Sequence, residues 1–157
     1  MQMLRLSARR SGRAAQRSAS TVGGAEALPD DETFRNVLSA AKLFWNVPTS
    51  SSILCSSGAS ALIALIPFLY AYRTVTIEGP TYSEHEASFR NAGFSLIPKD
   101  GDVQIVVNPN NPDGRLHLKN KVIKNHRKLT IIDESFCDPT QENSLAILTK
   151  KPGFIVL

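Results

Sequence analysis

The stretch Val107-Asn108-Pro109-Asn110-Asn111-Pro112-Asp113-Gly114 follows an apolar run that begins at Val103. A proline has no backbone N–H and biases the residue before it toward extended geometry, so a strand predicted over 103–107 stops here. The asparagine side chains can bond the loop's own backbone or face a ligand. Open α/β sheets collect ligand-binding groups at the carboxyl ends of their strands. The stretch therefore predicts a ligand site, with an ordinary surface turn as the alternative.

Apolar runs that predict strands alternate along the chain with segments of helical periodicity. Strands are predicted at 53–55, 74–78, 94–97, 103–107, 129–132 and 154–157. Helices are predicted to open at Pro29-Asp30-Asp31-Glu32 and to span 59–70, 83–91 and 118–126. This alternation predicts an α/β fold with parallel strands, right-handed crossovers and helices on both faces of the sheet.

Two of the predicted helices carry specific patterns. Ser83 and Glu86 have the spacing of a capping box. The first helix has apolar residues at helical spacing that predict a buried stripe. The stripe consists of Phe34, Val37, Leu38, Ala41 and Trp45.

Composition excludes several classes of protein. The 157 residues carry a formal net charge of +4, and no apolar run is long enough to span a bilayer, so no membrane role is expected. The basic cluster at 119–128 has no interleaved aromatic residues and indicates a solvated helix face, not a nucleic-acid site. Cys55 and Cys137 show neither metal-ligand spacing nor a disulfide pattern. A cytoplasmic protein without a metal is therefore expected.

Residues 1–26 differ from the rest, because five arginines alternate with small residues and no acid precedes Glu26. This composition is typical of a mitochondrial-type transit peptide and also of a disordered basic arm. We expect a basic, disordered leader over 1–26 and one folded unit over 27–157.

Three blocks of sequence carry a family resemblance. They are Asn-Pro-Asn-Asn-Pro-Asp-Gly at 108–114, Leu-Thr-Ile-Ile-Asp-Glu-Ser-Phe at 129–136 and Gly-Pro-Thr-Tyr-Ser-Glu-His at 79–85. In their order along the chain and in their spacing, they resemble blocks of the fold-type-I pyridoxal-phosphate enzymes, the aspartate aminotransferase superfamily. In that superfamily the block that corresponds to 129–136 ends in Asp-Glu-Ala-(Tyr/Phe). The resemblance implies an aspartate aminotransferase-like large domain, here truncated, with a mostly parallel sheet and flanking helices. It also implies pyridoxal 5'-phosphate as cofactor and, for full-length members, a homodimer.

Roles follow from the resemblance, residue by residue. Asp133 would pair with the pyridine nitrogen, Asn111 would donate to the phenolate oxygen, and Tyr82 would lie against the ring. The phosphate site would be Gly58-Ala59-Ser60, where a glycine precedes a helix N-terminus that offers unpaired N–H groups. For that segment, a helix cap without a ligand is the alternative.

Phe136 distinguishes subfamilies, because most aminotransferases of this superfamily have Tyr there. Asp-Glu-(Ala/Ser)-Phe resembles the threonine-phosphate decarboxylases of cobalamin biosynthesis. The implied reaction converts L-threonine O-3-phosphate, a small phosphorylated amino acid, to aminopropanol phosphate. A histidinol-phosphate-type aminotransferase and a non-catalytic α/β remnant are the alternatives.

The cofactor also requires a lysine that forms a Schiff base with it. In the family this lysine follows the strand that begins here at Phe154, so we expect it beyond Leu157 and assign no catalytic residue within the chain. We accordingly expect a marginally stable, catalytically inert fragment.

Overall fold

The computed structural model describes residues 5–6 and 30–157. Apart from Arg5–Leu6, the leader predicted for 1–26 lies outside the described residues and stays a prediction. β1 (Arg5–Leu6) pairs in parallel with β2 (Leu54–Cys55). Five further strands form one parallel sheet in the order β4-β3-β5-β6-β7. They are β3 (Thr74–Ile77), β4 (Ser95–Leu96), β5 (Val103–Val107), β6 (Leu129–Asp133) and β7 (Phe154–Val156).

The helices connect these strands. They are α1 (Asp31–Phe44), α2 (Ala59–Leu65), α3 (Ser83–Asn91) and α4 (Lys119–Asn125), with 3-10 segments at Ile66–Phe68, Asp138–Asn143 and Ala146–Lys150. The predicted α/β fold with a parallel sheet is confirmed. No helix in the described part of the chain combines the length and apolar character that a membrane crossing requires.

The core lies on both faces of the sheet, because alternate strand residues point to opposite sides. All five residues of β5 and of β6 are buried, as expected for central parallel strands. One face packs against α1 and α4 through residues that include Ala41, Val106, Val122, Ile132 and Phe154. The other face packs against α2 and α3 through residues that include Leu62, Ile63, Val75, Phe89 and Ile105. Each fully buried Val, Leu, Ile or Phe side chain among them contributes about 1.5–3 kcal/mol of transfer free energy.

The buried stripe predicted for α1 is present only in its second part, where Ala41 is buried and Leu38 and Trp45 are partly buried against the core. The helix begins as predicted, with Asp30 accepting a hydrogen bond from Thr33 N at 2.7 Å. In its first part the prediction is wrong, because Phe34 is 47% and Val37 43% exposed. Among the described residues, the sheet meets only the second half of the helix, so the apolar side chains of its first half face outward.

The ends of α3 and α2 also differ from prediction. Ser83 is the first residue of α3, Tyr82 occupies the cap position, and no side chain caps the helix, so the predicted capping box is wrong. Glu86 instead pairs with Arg90 one turn along the helix, at 2.8 Å. The helix predicted over 59–70 narrows to a 3-10 turn after Leu65, because Pro67 has no N–H for the α-helical bond.

Candidate functional site

The site lies where β5 and β6 end. Val107 and Asp133 are paired in register, and Asn108 N donates to the carbonyl oxygen of Asp133 at 2.8 Å. The loop after β5 and the turn after β6 therefore leave the sheet side by side. This is the edge where parallel sheets place ligand-binding groups.

The Asp133 carboxylate is the most constrained group at this edge. Its side chain is buried, Oδ2 lies 2.9 Å from His85 Nε2, and Oδ1 accepts from Ser135 N at 3.0 Å and from Ser135 Oγ at 2.6 Å. Burial by itself would raise the pKa of Asp133, but the hydrogen bonds from His85 and Ser135 hold that pKa below its usual value. Asp133 is therefore an ionised carboxylate kept within a largely apolar setting.

An ionised carboxylate has about four acceptor positions, two on each oxygen. The two bonds from Ser135 occupy Oδ1, and the bond from His85 occupies one position on Oδ2. Among the described residues, nothing donates to the fourth position. Asp133 can therefore accept one more hydrogen bond from a group that enters the adjacent cavity.

His85 is a site residue that the sequence reasoning missed. It is 1% exposed, and its ring lies edge-on to the ring of Tyr82, with centroids 6.1 Å apart. With Asp133 ionised, Nε2 is the donor in the 2.9 Å bond. The available signal was its position three residues after Tyr82, about one helical turn from the cap of α3.

A cavity of about 180 Å³ opens beside Asp133. It is lined by Ala59, Ser60, Tyr82, Val107, Asn111, Asp133, Ser135 and Phe136. The sequence-predicted residues Ala59, Ser60, Tyr82, Asn111 and Asp133 thus converge on one cavity. No other described residue forms a hydrogen bond with the Asn111 side chain, so its amide is available to a ligand.

Gly58 precedes the cavity residues Ala59 and Ser60 but does not itself line the cavity. It is the cap residue of α2 and has φ 144, a conformation that residues with a side chain rarely adopt. No side chain caps α2. The first N–H groups of α2, which include those of Ala59 and Ser60 in the cavity wall, are therefore unpaired within the helix.

The other two asparagines of the loop, Asn108 and Asn110, hold it in place. Asn108 donates to Asn143 O at 3.0 Å, and Asn110 donates to Pro80 O at 3.0 Å and to Asp113 Oδ1 at 2.8 Å. The bond to Pro80 joins the loop that carries Asn111 to the segment that carries Tyr82. This hydrogen bond restrains the position of Asn111 relative to Tyr82.

Phe136 closes the cavity on the side of β6. Its ring is 49% exposed and lines the cavity. It brings no hydroxyl to the wall, so Asn111 is the polar side chain on the loop side of the cavity. Asp133 and Ser135 supply the polar groups at the β6 side.

Known proteins resemble this chain in sequence and fold. Residues 13–148 match the family Aminotransferase class I and II. The chain is 34% identical over 122 residues to a threonine-phosphate decarboxylase from Pseudomonas aeruginosa, covering 67% of this chain and 37% of that protein. It is 33% identical over 135 residues to a threonine-phosphate decarboxylase from a Sinorhizobium species, covering 76% and 40%. The chain thus spans about two fifths of these curated relatives.

The fold has a counterpart among solved structures. Histidinol-phosphate aminotransferase from Sinorhizobium meliloti, in complex with pyridoxal-5'-phosphate, superposes with a TM-score of 0.62 at 16% identity. The match covers 78% of this chain and 41% of that protein, which confirms the aspartate aminotransferase-like fold over part of its extent. With the match over residues 13–148, this chain belongs to the class I and II aminotransferase family, whose cofactor is pyridoxal 5'-phosphate.

Proposed function

We propose that residues 27–157 form the N-terminal portion of a pyridoxal-phosphate-binding large domain and that the cavity beside Asp133 receives the cofactor ring. The proposed reaction is decarboxylation of L-threonine O-3-phosphate to aminopropanol phosphate, which serves cobalamin biosynthesis. The similarity to two threonine-phosphate decarboxylases supports this substrate. Phe136, at a position where most aminotransferases of the superfamily have Tyr, supports the same choice.

The observation that carries the proposal is the unfilled acceptor position on the buried Asp133 carboxylate. A protonated pyridine nitrogen is the kind of donor that such a position favours, because a charge-assisted hydrogen bond away from water is strong. The other residues that line the cavity also suit the remaining parts of the cofactor. It offers an aromatic ring at Tyr82, an amide at Asn111 and helix N–H groups beside Ser60.

When bound, pyridoxal phosphate supplies a cationic ring that accepts the electron pair released as a bond at the substrate Cα breaks. The chain's own residues prepare that ring. Asp133 keeps a proton on the ring nitrogen, and His85 keeps Asp133 ionised and oriented. Asn111 donates its amide to the phenolate oxygen, and Tyr82 packs on the ring face. The N-terminus of α2, with Ser60, receives the phosphate.

No lysine lines the cavity, although every lysine in the sequence falls within 30–157. We therefore propose that the isolated chain binds the cofactor without a covalent bond and is catalytically inert. Pyridoxamine 5'-phosphate tests this proposal, because it binds without forming a Schiff base. We expect saturable one-to-one binding by calorimetry, and no site-specific lysine adduct after incubation with pyridoxal phosphate and borohydride. Absence of saturable binding would exclude the proposed cofactor site.

A histidinol-phosphate-type aminotransferase is the second candidate, because the chain belongs to the class I and II aminotransferase family. A product assay on a longer protein that contains this chain together with a Schiff-base lysine separates the two. With pyridoxal phosphate and L-threonine O-3-phosphate, we expect carbon dioxide and aminopropanol phosphate. Conversion of histidinol phosphate with consumption of an oxo acid, and no release of carbon dioxide from threonine phosphate, would establish the aminotransferase. Turnover of neither substrate would favour a non-catalytic remnant.

We further propose a cytoplasmic homodimer that engages neither nucleic acid nor membrane. Free thiols support a reducing compartment: Cys55 and Cys137 are both unbridged, and burial raises the pKa of Cys137 to about 12. Light scattering of the purified protein tests the dimer. A monomer mass at micromolar concentration would contradict it.

A further inference from the structure

Ser135 makes two hydrogen bonds to the Asp133 side chain. Its backbone N–H and its hydroxyl both donate to Oδ1, at 3.0 and 2.6 Å. Any residue at this position retains the N–H bond, whereas the hydroxyl bond depends on serine.

The two bonds decide which oxygen of Asp133 remains open. Together they occupy both acceptor positions of Oδ1, while Oδ2 receives only the His85 Nε2 bond at 2.9 Å. We propose that Ser135 is a positioning residue that saturates Oδ1, so that Asp133 offers its last acceptor position on Oδ2 to a cationic ring in the cavity. The role of the ring rests on the function proposed above, whereas the effect on the carboxylate does not.

The location of Ser135 makes the bond effective. Ser135 is half-buried, lines the cavity and is the second residue after the end of β6, so the backbone holds its hydroxyl close to Oδ1. Loss of the hydroxyl would leave Oδ1 with one donor and Oδ2 with one donor. The two oxygens would then compete for the ring nitrogen, and the carboxylate would lose one of three restraints on its rotation.

The chain offers a matched control. Ser144 Oγ donates to Glu134 Oε2 at 2.7 Å, so it makes the same kind of bond to the neighbouring carboxylate. Neither Ser144 nor Glu134 lines the cavity. Ser144→Ala therefore removes a comparable hydroxyl–carboxylate bond without touching the proposed site.

The first measurement needs no ligand. The ¹³Cγ resonance of Asp133, assigned by its absence in Asp133→Asn, is followed against pH in the full chain and in its Ser135→Ala, Ser135→Thr and Ser144→Ala variants. The Ser135 hydroxyl helps to hold the pKa of Asp133 low, so we expect this pKa to rise in Ser135→Ala. Ser135→Thr restores a hydroxyl and should restore the titration, and Ser144→Ala should leave it unchanged. Amide spectra verify that each variant is folded.

The second measurement uses pyridoxamine 5'-phosphate labelled with ¹⁵N in the ring, whose chemical shift reports protonation of the ring nitrogen. We expect Ser135→Ala to weaken binding by up to about tenfold, because an Asp133 carboxylate with one restraint fewer is less well oriented toward the ring nitrogen, and to shift the ring resonance toward the neutral form. Ser135→Thr and Ser144→Ala should bind within about twofold of the parent chain.

The outcomes separate the two claims. If the parent chain does not bind the probe, the proposed function fails, and the ligand-free titration alone decides the effect of Ser135 on Asp133. If the parent chain binds and Ser135→Ala matches it in the Asp133 titration, the ring resonance and the affinity, the positioning role is overturned and the proposed function stands. Equal effects of Ser135→Ala and Ser144→Ala would also overturn the role.

Discussion

Two adjacent carboxylates at the end of β6 behave in opposite ways. Asp133 and Glu134 are both buried, at 3% and 8% exposure. Bonds from His85 and Ser135 outweigh burial and lower the pKa of Asp133. For Glu134, burial outweighs the bonds from Leu145 N and its other donors, so the pKa is raised. Burial alone therefore does not mark a binding carboxylate.

The direction of each side chain explains the difference, because successive residues at a strand end point to opposite sides. Asp133 lines the cavity, with one acceptor position unused among the described residues. Glu134 points inward, where Oε1 accepts from Leu145 N at 2.5 Å and Oε2 from Ser144 Oγ at 2.7 Å. One carboxylate is available to a ligand, and its neighbour anchors the chain that follows β6.

Removing the charge of Asp133 or of Glu134 should distinguish the binding carboxylate from the anchoring one, and this is the largest effect that we expect. Asp133→Asn keeps the shape of the side chain but removes the charge that a cationic ring requires, so we expect binding of pyridoxamine 5'-phosphate to weaken about 100-fold. Calorimetric titration measures this change.

Glu134→Gln is the control for that substitution, because it removes the same charge from the side chain that does not line the cavity. Its affinity for the probe should stay within about twofold of the parent. A similar loss in both variants would mean that general electrostatics, and not a contact with Asp133, governs binding.

Glu134 should matter for stability, whereas Asp133 matters for binding of the probe. Glu134→Ala leaves Leu145 N and the Ser144 hydroxyl without their acceptor, in a site largely closed to water. We expect a loss of about 2–3 kcal/mol in the free energy of unfolding, measured with urea, while the folded fraction still binds the probe. Loss of probe binding without loss of stability would contradict the anchoring role.

His85 connects the cavity to α3, and its replacement should have an intermediate effect. His85→Phe keeps most of the buried volume but removes the donor to Asp133 Oδ2. We expect the pKa of Asp133 to rise and the probe to bind about tenfold more weakly. Phe89→Leu on the same helix controls for packing, since Phe89 is buried at 1% exposure and contributes to the core beneath the sheet. It should lower stability without moving the Asp133 titration.

The sequence predicted the parts of this molecule that depend on local chemistry. The apolar runs predicted β5 and β6, and the prolines and asparagines after Val107 predicted the loop that follows β5. Because parallel strands end at one edge, the convergence of Asp133 and Asn111 also followed.

The rest depends on tertiary contacts that no local pattern encodes. The bond between His85 and Asp133 joins residues 48 positions apart. Likewise, a Cβ on Gly101 would lie 2.7 Å from Thr76 N, so the close approach of the loop before β5 to β3 requires glycine. The outward face of Phe34 could not be inferred either, because periodicity identifies an apolar stripe but not what covers it.

The pH dependence of stability should show the two carboxylates with opposite signs. The pKa of Asp133 is lowered in the fold, so its contribution is present above the usual value of 3.8 and is lost as pH falls through the folded pKa. The pKa of Glu134 is raised above 4.5, so its contribution favours the fold at low pH and is lost as pH rises from 4.5 through the folded pKa.

Urea unfolding from pH 3 to pH 7 measures both contributions. Asp133→Asn should flatten the loss of stability on the acid side, and Glu134→Gln should remove the decline that begins above pH 4.5. Glu84→Gln, an exposed change on α3, measures the general effect of removing one negative charge. Parallel curves for the three variants would show that net charge alone sets the pH dependence. Curves that diverge in opposite directions would show that two neighbouring buried acids differ through their hydrogen-bond donors, which is the property that makes one of them suited to hold a ligand.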